Sequence, residues 1–462
     1  MANQLPRTEM PEQDATKRTS NFLEVALGFN QALAYQEALR CIDCKNPRCV
    51  KACPVSVNIP QFIRNITEHN LDKAFKTIYE DNILPSICGR VCPQESQCEG
   101  SCILGIKGES VSIGALERFV GDYGMQQALA DLSVAPPKHK KVAVVGSGPA
   151  GLANAASLRK KGYDVSVFEA LHEFGGVLQY GIPDFRLPKD IVKKEIENLK
   201  SMGVEFIKNA VIGKSLTIDQ LFEDGYDAIF IGSGAGLPSS LRIKGENLNG
   251  VYFANEFLTR VNLMKSRRID SDKTPVKIGD KVAVVGGGNV AMDAARTAKR
   301  IGAKEVFILY RRDEASLPAR KEEVHHAKEE GIEFRLLRNP VELIGDENNV
   351  INQVRCEVME LGKEDASGRR RPVGTGEIVT FDLDSIIISI GQKPNPILKD
   401  NTLGLNTHDW GGIITDSNYM TSIPGVFAGG DVVSGAATVI LAMGAGKDAA
   451  DAMDQYMEKQ NA

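Results

Sequence analysis

Val142-Ala143-Val144-Val145-Gly146-Ser147-Gly148-Pro149-Ala150-Gly151 opens the middle of the chain. Four apolar residues make a strand-length run, the glycines a tight turn, and a helical stretch follows to about Lys161. The alternating segment Asp164-Val165-Ser166-Val167-Phe168-Glu169 comes next, which completes a strand–turn–helix–strand unit. In such a turn Gly146 permits the bend and Gly148 lets backbone N–H groups approach a pyrophosphate. Gly151 lets helix and strand pack closely. The helix N-terminus at Pro149 and Ala150 supplies positive potential for the same phosphates.

The pattern returns at Val282-Ala283-Val284-Val285, followed by Gly286-Gly287-Gly288-Asn289-Val290-Ala291, a helix to about Ile301 and a strand over 305–310. Both glycine turns have a strand before and a helix after, the context that makes such a fingerprint meaningful. Apolar runs ending in glycine flank the second unit, at 228–232 and 385–391. The simplest architecture is an α/β chain with two Rossmann-like dinucleotide-binding domains. The second, over 276–379, is inserted into the first, over 140–275 and 380–462.

The two units differ where specificity is decided. In the first, the second strand ends in Glu169, placed to accept hydrogen bonds from an adenosine ribose, which suits FAD or NAD. In the second, the equivalent stretch reads Leu309-Tyr310-Arg311-Arg312. An acid there would repel a 2′-phosphate, whereas two guanidiniums would bind it through charge-assisted contacts, so NADP(H) is expected. Arg320, at a helix start, would add to that phosphate site. Gly425-Val426-Phe427-Ala428-Gly429-Gly430-Asp431 resembles the terminal FAD-binding motif of two-dinucleotide-domain flavoenzymes. There the position of Asp431 contacts the ribityl–pyrophosphate region, and Gly175-Gly176 fits the same pattern. The resemblance implies FAD in the outer domain and NADPH in the inserted one.

Eight of the nine cysteines lie between Cys41 and Cys102, within stretches of helical period such as 59–66 and 71–79. Residues 1–135 therefore read as an α-helical domain built around cysteines, and 134–141, with two prolines, as a linker. The spacings are Cys41-x2-Cys44-x4-Cys49-x3-Cys53-Pro54 and Cys88-x3-Cys92-Pro93-x3-Gln97-Cys98-x3-Cys102. Structural zinc sites usually pair two CxxC knuckles, and only one CxxC occurs here. Closely spaced cysteines ending in Cys-Pro resemble bacterial ferredoxin runs, where the last cysteine serves the other cluster. Thiolates that accept electrons singly beside a flavin favour iron–sulfur over zinc or disulfides.

The Cys41–Pro54 run, Ile87-Cys88-Gly89-Arg90-Val91-Cys92-Pro93-Gln94 and Cys98-Glu99-Gly100-Ser101-Cys102 resemble the electron-transfer module of glutamate synthase small subunits. They also resemble the N-terminal part of dihydropyrimidine dehydrogenase and the large subunit of NADH-dependent reduced ferredoxin:NADP+ oxidoreductase. Carried over by position, the resemblance implies two [4Fe–4S] clusters. One takes Cys41, Cys44, Cys49 and Cys102. The other takes Cys53, Cys92, Cys98 and Glu117, where the pyrimidine-reducing relative has glutamine. Cys88 is left as a small buried residue without iron. The N-terminal stretches 7–14 and 21–29 look most like the ferredoxin:NADP+ oxidoreductase large subunit. That implies a bifurcating FAD, ferredoxin as a partner, and a heterodimer with a smaller flavin and iron–sulfur subunit. The alternative partner is the glutamate synthase large subunit, an amidotransferase carrying FMN.

A formal charge of -5 argues against nucleic acid as the main partner. No run approaches the roughly 18 apolar residues of a membrane span, and no secretory signal is visible, so a cytoplasmic location is expected. Hydride and electron transfer belong to the cofactors, so no catalytic side-chain nucleophile is expected. His325 and His326 read as a solvated helix face. A redox disulfide reductase would need a CxxC near the flavin, and a nucleotide-binding scaffold without turnover would not need the full set of cluster ligands.

Overall fold

The computed structural model of the chain describes residues 5–266, 276–364 and 370–460. Before Lys141 the regular elements are helices, as the cysteine-spaced periodicity suggests. Two of them, Pro85–Val91 (α1) and Ile113–Gln126 (α2), cross so closely that a Cβ on Gly89 would lie 2.5 Å from the Arg118 nitrogen. Only glycine allows that approach. Phe62, Ile63, Ile78, Leu116 and Val120 form the core of this helical module.

The first sheet holds β1 (Lys141–Val145), β2 (Asp164–Phe168), β3 (Glu205–Ile207) and β4 (Ala228–Ile231). Its last strand arrives only at Val426–Ala428, which pairs parallel with β4. The second sheet takes up the chain in between. Its strands are β5 (Val251–Phe253), β6 (Lys281–Val285), β7 (Glu305–Tyr310), β8 (Glu333–Leu336) and, after a long hairpin, β12 (Ser385–Ile388). The hairpin is β9 (Arg338–Gly345), β10 (Ile351–Glu364) and β11 (Arg370–Asp382), an antiparallel sheet. With Val426–Ala428 as β13, the parallel sheets run β13-β4-β1-β2-β3 and β5-β12-β6-β7-β8. Their central strands are buried on both faces, so they read as continuous apolar runs without alternation.

The insertion is wider than 276–379. Ser385–Ile388 was expected to return to the first sheet, but it pairs with β6 on one side and β5 on the other. An apolar run ending in glycine announces a buried parallel strand without saying which sheet it joins. The linker reading of 134–141 also needs amending. Its residues up to Lys140 have no regular structure, but Lys138 is fastened to Asp454 (2.6 Å) and Glu458 (2.8 Å) on the C-terminal helix.

Leu84, Ile87, Cys88, Val91 and Cys92 share one buried cluster with Ala150, Leu178 and Met443 of the first nucleotide domain. The cysteine module is thereby packed onto that domain through the α1 face. At Gly444 a Cβ would stand 3.3 Å from Val55, next to the Cys53–Pro54 pair.

Candidate functional site

The first glycine turn, Glu169, Gly176 and Asp431 line one cleft of about 370 Å3. Gly146 has φ +100°, and a Cβ there would meet the Gly232 carbonyl at 2.6 Å. A Cβ on Gly151 would lie 1.9 Å from the Gly146 carbonyl oxygen, whereas one on Gly148 would meet nothing within 4 Å. The turn thus has a closed side toward the sheet and an open side toward a ligand. Glu169 is buried and accepts from the Ser147 N–H (3.1 Å), the Ser147 hydroxyl (2.5 Å) and the Leu171 N–H (2.9 Å). Ser147 Oγ in turn accepts from the Gly175 N–H at 2.9 Å, which ties the second glycine pair to the first turn. Gly430 (φ +75°) brings Asp431 to the same cleft, where burial pushes its carboxyl up to about 6. A dinucleotide with its diphosphate over Gly148 and a ribose hydroxyl donating to Glu169 fits this open turn and this carboxylate.

The second turn repeats the geometry. Gly286 has φ +136° and a Cβ there would strike the Ser389 carbonyl at 2.1 Å, while Gly288 is open. Ser389 after β12 thus plays the part that Gly232 plays after β4. Asn289 opens the following helix, where Val290 is exposed and Ala291 buried. Arg311 is exposed and Arg312 half-buried beyond the end of β7. Among the described residues neither guanidinium has a carboxylate partner, and Arg312 Nε is buried without an acceptor. That orphaned donor suits a phosphate.

Arg320 does not join them. Its guanidinium turns away from the glycine turn, donating to the Arg90 carbonyl (3.0 Å) and Gln94 Oε1 (2.9 Å) of the helical module. Its backbone N–H is what faces the turn, donating to Asn289 Oδ1 at 2.9 Å. His326 also departs from expectation. His325 is exposed, but His326 is 2% exposed, its Nε2 3.0 Å from Glu12. A periodicity that counts charged neighbours as solvent misses a helix pressed against an N-terminal arm. Glu12, Glu322 and His326 bring three donors within 4.8 Å. Glu12 is shared with Arg18 (3.5 Å) and Glu322 with Arg320 (2.7 Å), so the trio belongs to an ion-pair network.

Cys41, Cys44, Cys49 and Cys102 line one small cavity. Within this set Cys41 acts electrostatically on Cys49, Cys44 on Cys41, and Cys102 on both Cys41 and Cys49. Cys53, Cys92 and Cys98 form the second set, and Glu117 acts on all three. Burial pushes Glu117 up to about 7, against the Asn82 amide that donates to it at 2.6 Å. Cys88 is fully buried beside Cys92 and Asn82. Burial raises the thiols of Cys41, Cys49, Cys53 and Cys98, Cys49 to about 11, so loading metal onto them expels protons. Among the described residues, no cysteine belongs to a group of three donors closing to 4.8 Å. A zinc bound at about 2.3 Å needs sulfurs about 3.8 Å apart, so these sets stand too wide for one ion and suit a larger cluster.

Residues 18–129 match the family described as dihydropyrimidine dehydrogenase domain II, 4Fe-4S cluster, and residues 140–449 match pyridine nucleotide-disulphide oxidoreductase. The glutamate synthase [NADPH] small chain of Escherichia coli (strain K12) is 36% identical, over 98% of this chain and 98% of that one. The chain belongs to the glutamate synthase small-subunit family. It is an NADP-dependent oxidoreductase with an FAD- and NADP-binding unit and a 4Fe–4S domain. The NADP(+)-dependent formate dehydrogenase subunit beta of Moorella thermoacetica is 39% identical, over 89% of this chain and 60% of that protein. The NADPH-Fe(3+) oxidoreductase subunit beta of Geobacter sulfurreducens is 34% identical, over 98% and 70%. Among solved structures, FprA from Mycobacterium tuberculosis shares the fold, with TM-score 0.59 and 22% identity over 71% of this chain and 86% of that one. No described helix is long and apolar enough to cross a membrane.

Proposed function

We propose that this chain relays electrons between NADP(H), FAD and two [4Fe–4S] clusters as the large subunit of an electron-bifurcating NADH-dependent reduced ferredoxin:NADP+ oxidoreductase. FAD lies along Gly146–Gly151, Glu169 and Asp431, and NADP(H) along Gly286–Ala291 with its 2′-phosphate at Arg311 and Arg312. The observation that carries the relay is the order of the parts. The set Cys53, Cys92, Cys98 and Glu117 adjoins the flavin domain, through Cys92 in the shared core and Pro54–Val55 against Gly444. The set Cys41, Cys44, Cys49 and Cys102 opens outward under the exposed Ile42 and Ile103. A flavin that takes hydride and passes electrons singly to clusters supplies the chemistry; the protein orients the cofactors and sets their potentials.

The outward set also suggests its partner. Ile42, Ile103 and Arg48 are exposed at its cavity, and exposed Leu39, Lys45, Lys51, Ile106 and Lys107 lie within about five residues of its cysteines along the chain. Among the described residues none of these four cations is ion-paired. An apolar centre with a cationic rim fits an acidic one-electron carrier such as a ferredoxin.

A second reading is the small subunit of NADPH-dependent glutamate synthase, favoured by the names of the Escherichia coli and Azospirillum brasilense relatives. Anaerobic co-purification of the native complex, with iron and flavin counted and the partner weighed, separates the two. A small partner with its own FAD and a [2Fe–2S] cluster supports the first reading; a large amidotransferase with FMN supports the second.

A further inference from the structure

Arg320 belongs to the inserted nucleotide domain but spends its side chain on the cysteine module. The guanidinium is 9% exposed and sits at the C-terminal end of α1. It donates to the Arg90 carbonyl, two residues before Cys92, and to Gln94 Oε1, two residues after it. Gln94 reaches back with its Nε2 to the Gly89 carbonyl at 3.2 Å, so the guanidinium is held by side chain and helix end together. Helix C-termini favour such a cation. On its other side the residue is anchored in its own domain. The Ala319 N–H donates to the Gly287 carbonyl (3.1 Å) and the Arg320 N–H to Asn289 Oδ1, both in the second glycine turn.

We propose that Arg320 is the charge by which the nucleotide domain raises the reduction potential of the iron–sulfur centre held by Cys53, Cys92, Cys98 and Glu117. The inference rests on that assignment of the centre. A reduced cluster carries one more negative charge, and a fixed cation beside it stabilises the reduced form. Glu322 (2.7 Å) and Glu95 (3.5 Å) offset part of the charge, and both are about one-third exposed. Without the guanidinium, both carboxylates lose their counter-charge. Arg320 is therefore a tuning residue that touches no substrate, and its placement requires the nucleotide domain to be docked on the cysteine module.

The test is an anaerobic redox titration of the holoprotein, following each centre by EPR, for the wild type, R320Q and E95Q. R320Q is expected to lower the midpoint of this centre alone, leaving the other cluster, the flavin and the dissociation constant for NADP+ unchanged. E95Q, which removes a counter-charge and leaves Arg320 in place, is expected to raise it, and decides the matter if R320Q loses its iron. An unchanged midpoint in both overturns the inference. So does weakened NADP+ binding at an unchanged midpoint, which would return Arg320 to the 2′-phosphate. Cys53→Ser is the separate control on the assignment. If it leaves both cluster signals intact, the ligand set is wrong, whatever Arg320 does.

Discussion

Glu117 places a carboxylate where the amide of glutamine would have the same shape and no charge. As an iron ligand it adds negative charge to its centre and holds the potential down. Glu117→Gln is therefore expected to raise the midpoint of that one cluster in a redox titration; an unchanged midpoint with unchanged spectra would remove Glu117 from the iron. Arg311 and Arg312 make a second expectation. Each charge-assisted contact to a phosphate is worth about 1.5–3 kcal/mol. Arg312→Gln should thus weaken NADPH binding by roughly tenfold or more while leaving NADH binding nearly unchanged, as read by fluorescence titration. The expectation at 311 and 312 rests on a local signal, since a strand end fixes where those residues stand. The expectation at Glu117 rests on the family resemblance, because cysteine spacing alone does not single it out. Arg320 was not legible. Its sequence distance from the glycine turn is short, but its side chain answers to Arg90 and Gln94, which the sequence places far away.

At the scale of elements, strands were easier to see than their partners. The turns after β1 and β6 are marked by glycines that the geometry requires, Gly146 and Gly286 at positive φ among them. The membership of β12 depends on a pairing some 100 residues back along the chain with β6, which no local pattern encodes. The helix Lys321–Glu329 (α3) shows the same limit. Glu330 caps its end with a fully buried side chain, bound by Arg296 (2.8 Å), Arg300 (2.6 Å) and Arg18 of the N-terminal arm (2.9 Å). Burial alone would raise its carboxyl, but the Arg300 and Arg296 guanidiniums hold it at about 2, below the ordinary 4.5. Its folded value is depressed, so its contribution is present above about 4.5 and fades as pH falls from there toward 2. Glu330→Gln should lower stability at pH 7 by about 3–5 kcal/mol, the cost of breaking a buried pair. Denaturation followed at several pH values should also show a shallower acid loss in the variant.

At the scale of the molecule, the proposed relay runs from the nucleotide domain to an outward-facing cysteine set, and the surface at its end has the opposite character from the chain as a whole. The net charge is -5, yet Lys45, Arg48, Lys51 and Lys107 stand exposed close along the chain to the cysteines of that set, as do Ile42, Ile103 and Ile106. Steering of an acidic carrier to such a patch weakens as salt shortens the Debye length, from about 10 Å at 0.1 M to about 3 Å at 1 M. NADPH-dependent exchange of electrons with an acidic ferredoxin should therefore slow steeply with ionic strength. Reversing two charges, as in Lys45→Glu with Arg48→Glu, should reproduce that slowing at low salt. Reduction of a small neutral dye at the flavin should be unchanged in the same variant, because neither side chain touches the nucleotide clefts. If the variant slows dye and ferredoxin equally, the cysteine module has been disturbed and the rim is not the contact. If it slows neither, the electrons leave by another face, and the outward set of thiols is an intermediate station, not the exit.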